Sequence, residues 1–166
     1  TDMSISGRYW NEERIGGQDN FNIESDEGSN IIYGQTAKIN SGEASARYSA
    51  KLGDEKSMKL YASGSYYDQN SFYGFTSYDA VQGFANLTGF YEFKIADMNF
   101  LKAGASYRYQ NIEEVIAFED TTNKTYNGVY DKLESIPGIF AENSLNFLDS
   151  KATLNTGLRY DYHNKY

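Results

Sequence analysis

Ala152-Thr153-Leu154-Asn155-Thr156-Gly157-Leu158-Arg159-Tyr160-Asp161-Tyr162 alternates residue by residue. Its even positions carry Ala, Leu, Thr, Leu, Tyr and Tyr, and its odd positions carry Thr, Asn, Gly, Arg and Asp. Period two is the mark of a strand with one greasy and one wet face. The same pattern places Leu101, Ala103, Ala105, Tyr107 and Tyr109 opposite Lys102, Gly104, Ser106 and Arg108. Met58, Leu60, Ala62, Gly64 and Tyr66 oppose Lys59, Tyr61, Ser63, Ser65 and Tyr67, while Ala44, Ala46, Tyr48 and Ala50 oppose Ser45, Arg47 and Ser49. Weaker copies cover Met3 to Trp10, Gly83 to Phe93 and Ile139 to Phe147. In the second of these, Phe84 and Phe90 fall on the polar face.

About seven strands of roughly 8–11 residues follow, and no helical stretch competes with them. A tilted strand of about 9–11 residues just crosses a bilayer, whereas a soluble strand averages nearer five or six. The expected connections alternate in length. Gly53 to Lys56, Lys94 to Met98 and Leu148 to Ser150 read as tight turns; Asn11 to Gly42, Asp68 to Gln82 and Asn111 to Ile136 read as long polar loops. Short turns at one end and long loops at the other describe an all-β, transmembrane, antiparallel up-and-down barrel. Aromatics mark both strand ends: Tyr9-Trp10, Tyr66-Tyr67, Tyr107/Tyr109 and Tyr160/Tyr162 at one, and Tyr91, Phe93, Phe100 and Phe147 at the other. Such belts are what membrane interfaces select. A soluble sheet with one wet face alternates as well. An odd strand count, and the opening Thr1-Asp2-Met3-Ser4, read as a piece of a larger barrel, with residues 1–166 forming part of one domain.

Composition removes several classes. The 166 residues include no Cys, 16 Tyr, 10 Phe and 15 Gly, and the net charge is -8. Disulfide scaffolds and thiolate metal sites are excluded. Acidity argues against a nucleic-acid partner, which rewards a basic face. No run of about 18 apolar residues is present to form a membrane helix. Nor does a catalytic constellation emerge: there is no Gly-x-Ser-x-Gly elbow, and Gly16-Gly17 lacks the lysine of a phosphate loop. The lone His163 reads as a solvated loop residue. The chain is therefore expected not to be an enzyme and to hold no metal cluster.

Candidate binding residues lie in the aromatic-polar stretch Tyr66 to Phe75. Flat rings stack on large ligands while polar groups orient them, which nominates Tyr67, Asp68, Asn70, Phe72 and Tyr73, with Tyr126 and Tyr130 further on. Two acidic groups, Asp19/Glu24/Asp26/Glu27 and Glu113/Glu114/Glu119/Asp120, raise Ca2+ as an alternative to plain negative surface charge. Arg47, Arg108 and Arg159 share the wet face and are expected to pair with carboxylates of whatever fills the lumen.

Several strings resemble the TonB-dependent outer-membrane transporters. They are Asn11-Glu12-Glu13-Arg14-Ile15-Gly16-Gly17, Asp68-Gln69-Asn70-Ser71-Phe72-Tyr73-Gly74, Gly104 to Tyr109, Pro137 to Asn143, and Gly157-Leu158-Arg159-Tyr160-Asp161-Tyr162-His163. Their order and spacing are similar to the middle of the barrel in members assigned to vitamin B12 or ferric siderophore uptake. The resemblance implies about a third of a 22-stranded, plugged barrel in the outer membrane of a Gram-negative bacterium. It also implies active transport of a large scarce chelate. The implied partners are membrane lipid, TonB, a plug domain of the same parent protein and a surface lipoprotein. Ala141-Glu142-Asn143 departs from the acidic-amide strand start that relatives carry after Pro-Gly. A passive porin or structural barrel would share the same strand pattern, and a soluble carbohydrate-binding sheet would share the alternation.

Overall fold

The computed structural model describes residues 1–29, 31–118, 127–148 and 151–164. They form one seven-stranded antiparallel sheet: β1 (Asp2–Gly17), β2 (Gly34–Lys51), β3 (Lys56–Tyr73), β4 (Thr76–Ala96), β5 (Asn99–Phe118), β6 (Gly128–Phe147) and β7 (Ala152–Asp161). Strand order follows chain order from β1 to β7, up and down, so each strand pairs only with its sequence neighbours. The sheet is open. A single four-residue helix, α1 (Ile23–Asp26), sits between β1 and β2, its first turn capped by Asn22, whose side chain accepts from the Glu24 amide at 2.9 Å.

The register verifies the two faces. Met3, Tyr48, Leu60, Gly89, Ala105, Ile139 and Tyr160 form one continuous row across the seven strands. The row above it is Ile5, Ala46, Ala62, Leu87, Tyr107 and Pro137. Both lie on what we call the outer face, and nothing in the described chain covers them there: Met3 is 67% exposed, Ile139 63% and Leu60 41%, and Leu158, one row below, is 85% exposed. Ala103 is likewise exposed. Phe84 and Phe90 lie on the opposite, inner face, as their parity requires. Of the aromatics that mark the strand ends, Trp10, Tyr67 and Phe100 lie on the inner face and the others within the strands on the outer one.

The strands are longer than expected. All but β7 run 16 to 21 residues. The three segments read as long loops are mostly ladder: β1 continues to Gly17 and β2 resumes at Gly34, β3 and β4 are joined by Gly74 and Phe75 alone, and β5 reaches Phe118 before β6 begins at Gly128. Polar and apolar residues fall on both faces there, so the apolar alternation vanishes although the backbone still pairs. Gly74 makes the tight β3–β4 turn at φ +60°, a conformation that costs glycine little. The tight turns at the other end are as expected at 52–55 between β2 and β3 and 97–98 between β4 and β5; of the turn expected between β6 and β7, 149–150 lie outside the described residues, and the Lys151 amide donates to the Leu148 carbonyl at 3.1 Å.

One patch carries a second layer. The β1–β2 connection folds back over the outer face at the long-strand end, where Phe21 packs on Gly34, Phe72 lies against Gly28, and the Thr36 hydroxyl donates to Glu27 Oε1 at 2.6 Å. Thr36 is thereby almost wholly buried.

Candidate functional site

The inner face divides into two zones. Near the short turns it carries small polar residues crossed by an aromatic belt. The register row Lys59, Phe90, Gly104, Phe140 and Arg159 places a glycine between two phenylalanines. With no side chain at Gly104, Phe90 and Phe140 meet edge to face at 6.3 Å. Phe90 stacks on Tyr61 at 6.0 Å on its other side. Cations cap the rings: Arg47 over Tyr61 at 5.8 Å, Lys59 and Lys102 over Phe90 at 5.7 and 5.3 Å, and Arg159 over Phe140 at 6.0 Å. Aromatic faces attract cations through the ring quadrupole, so the belt holds its charges upright on a wet wall.

Of the three arginines expected to face a luminal partner, all lie on this face. Arg159 is held in place: it donates to both carboxylate oxygens of Asp161 at 2.7 and 2.8 Å and to Ser106 Oγ at 2.9 Å. Arg47 rests on Tyr61, and Arg108 stands between Asn86 and Ile136. Above the belt a depression of about 430 Å3 is floored by Ser6, Ser45, Ser63 and Ser65, with the Arg8–Glu43 ion pair (3.0 Å) and Phe84 at its rim.

Toward the long-strand end the inner face becomes aromatic and amide-rich. A cleft of about 380 Å3 is lined by Arg14, Gln35, Ala37, Ile39, Tyr67, Gln69 and Tyr73. The Tyr67 hydroxyl donates to Gln69 Oε1 at 2.5 Å, and Gln69 Nε2 donates to Ser71 Oγ at 2.7 Å. Arg14 donates twice to Glu12, at 2.7 and 3.0 Å, and this pairing holds the Glu12 carboxyl below its ordinary value. Beside the cleft the Tyr78 hydroxyl donates to Glu114 Oε1 at 2.6 Å. That bond to a carboxylate, with burial second, pushes the Tyr78 phenol up to about 12. Tyr73 and Gln35 are register partners whose side-chain polar groups make no hydrogen bond among the described residues.

Strand parity splits the nominated binding residues. Tyr67 and Tyr73 face the cleft, and Tyr130 shares their face in the row of Gln69 and Glu114. Asp68, Asn70 and Phe72 point the other way, where Asn70 donates to Asp79 and Phe72 lies under the folded-back connection. All five from Tyr67 to Tyr73 stand on a strand, not a loop, which corrects the sequence reading. Tyr126 lies outside the described residues. Arg14, Gln35, Gln69 and Tyr78 were not nominated. For Gln69, stepping by two from Tyr67 would have found it; the others enter only through cross-strand pairing.

The acidic groups behave locally. Asp26 accepts from the Asn22 amide at 2.8 Å and from Ser25 Oγ at 3.0 Å, and Glu27 is engaged by Thr36. Glu113 and Glu114 face opposite sides of the sheet. Glu119 and Asp120 lie outside the described residues. Among the described residues no three His, Cys, Asp or Glu side chains converge as a metal site would require. His163 Nε2 stands 3.6 Å from Glu134.

Comparison with known proteins finds no matching protein family, curated protein or solved structure.

Proposed function

We propose that the chain is a stretch of outer-membrane barrel wall from a TonB-dependent transporter that takes up a large scarce nutrient. One observation carries this reading: the outer face changes polarity at a single height. Asn11, Asn40, Asp68, Val81, Glu113 and Asp131 form one register row, and five of its six members are hydrophilic. Below that row, down to Tyr91 and Ala103, no outward position bears a charge, and Lys56 enters in the next row, opposite Phe93. On β4 the uncharged band runs from Gly83 to Phe93, roughly 33 Å along the strand at about 3.3 Å per residue. At a tilt of about 40° this stands roughly 25 Å tall, the height of the apolar band on outer-membrane barrels. Seven strands about 4.8 Å apart make the patch on the order of 900 Å2, against the few hundred that a soluble monomer leaves bare.

Unpaired backbone is costly in lipid, so the free edges of β1 and β7 are expected to pair with further strands and close a barrel. The inner face would then enclose a plug domain of the parent protein, with Arg47, Arg108 and Arg159 directed at it. The long-strand end would stand outside the cell and capture ligand. Chelates such as cobalamin or a ferric siderophore are the cargo the sequence resemblance implies, with a surface lipoprotein as accessory. Binding without covalent change is the task, and TonB at the inner membrane supplies the energy.

Uptake by the parent protein tests this. Deleting TonB should leave surface binding of the nutrient intact and abolish its accumulation. Accumulation that is indifferent to TonB would identify a passive pore instead.

A further inference from the structure

The cleft of Arg14, Gln35, Tyr67, Gln69 and Tyr73 is more specific about its occupant than the resemblance is. Charge along the sheet is polarised. In the segments beyond the outer polarity change (11–41, 67–82, 110–118 and 127–134) there are twelve carboxylate residues against three lysines and arginines. A field of that sign slows the approach of an anion. The one charged residue of the lining is already engaged: Arg14 is doubly bonded to Glu12. Beyond the lining on the same face, Glu114 receives the Tyr78 hydroxyl and Lys132 pairs with Glu134 at 2.7 Å. What remains open is neutral: the Tyr73 hydroxyl, the Gln35 amide and the faces of two tyrosines, one at each end of the cleft. Its volume, about 380 Å3, is in the range of small-molecule sites.

From these observations we infer that the cleft binds an uncharged, hydroxyl-rich ligand, a neutral oligosaccharide, and not an anionic metal chelate. Sugar rings offer an apolar face for Tyr67 and Tyr73 to stack against, and hydroxyls that both donate to and accept from Gln35 and Gln69. An anionic ferric chelate would need cations without partners, and the described residues of the cleft hold none. The inference rests on the transport reading only in placing this end outside the cell.

The test uses the full parent protein in detergent. Linear hexasaccharides of glucose, mannose and galactose are titrated by calorimetry, alongside cyanocobalamin and a ferric tris-catecholate. At least one hexasaccharide should bind, with an affinity unchanged between roughly 50 and roughly 500 mM salt, because no counter-charge is involved. Tyr73→Ala and Gln35→Ala should each weaken it about tenfold, and Tyr73→Phe should recover most of the loss by restoring the ring. Heat-modifiable gel mobility checks that each variant is folded. If no hexasaccharide binds, if the catecholate or cobalamin alone binds, or if both alanine variants bind sugar normally, the inference is overturned. Sugar binding without TonB-dependent uptake would remove the transport reading and leave the ligand class standing.

Discussion

Tyr78 and Gly104 show how much single side chains, or the lack of one, settle in this sheet. The Tyr78 phenol is raised to about 12 because its proton is shared with the Glu114 carboxylate. A raised phenol favours the neutral form in the fold, so its contribution is complete below about pH 10 and is lost as pH rises through about 12. The tyrosinate absorbance difference between the parent and Tyr78→Phe should therefore titrate near 12, and Glu114→Gln should move it down toward the ordinary tyrosine value. A Tyr78 that titrates with the other tyrosines would show the bond is absent. At Gly104 a methyl group would collide with the Gly89 carbonyl and lie 2.6 Å from Phe90 Cβ and 2.7 Å from Phe140 Cζ. Backbone cannot give way as a side-chain tip can, so Gly104→Ala should cost about 1–3 kcal/mol, the usual range for overpacking. Urea unfolding of the parent protein measures this, and an unchanged midpoint would contradict the closeness of the belt.

Neighbouring positions on one strand test the faces of the element. Leu87 is on the outer face in the row of Ala62 and Tyr107, and Thr88 is on the inner face between Tyr61 and Ser106. Under the proposed function Leu87 sits near mid-depth in lipid. Leu87→Arg should then destabilise folding into vesicles by about 2–4 kcal/mol, whereas Thr88→Arg should change it little. In a soluble sheet the order would differ: Leu87, already 46% exposed, would accept arginine without loss. Element length teaches a related lesson. Alternation in the sequence located the half of each strand next to the short turns because there one face is apolar and the other polar. It missed the upper halves, such as Glu12 to Gly17 and Asn111 to Phe118, because both faces there mix polar and apolar residues and only the backbone ladder reports the strand.

At the scale of the whole molecule the sheet has two open edges and an uncovered apolar face, which water does not tolerate together. Residues 1–166 expressed alone without detergent should therefore aggregate, and size-exclusion chromatography reads the outcome directly. A soluble monomer would overturn the membrane assignment and favour a free-standing sheet. The sequence by itself determined the all-β class, the number of strands, the tight turns at one end of the sheet and the two faces near those turns, since each follows from residue types at neighbouring positions. It also nominated Tyr67 and Tyr73, though it placed Asp68, Asn70 and Phe72 with them. Only the tertiary structure separated these, brought Arg14 and Gln35 to the same cleft, set Gly104 between Phe90 and Phe140, and aligned the polarity change across six strands. Those features depend on register between strands, which turn geometry and the pattern of both strands set together, so that residues dozens of positions apart meet only once every hairpin has closed.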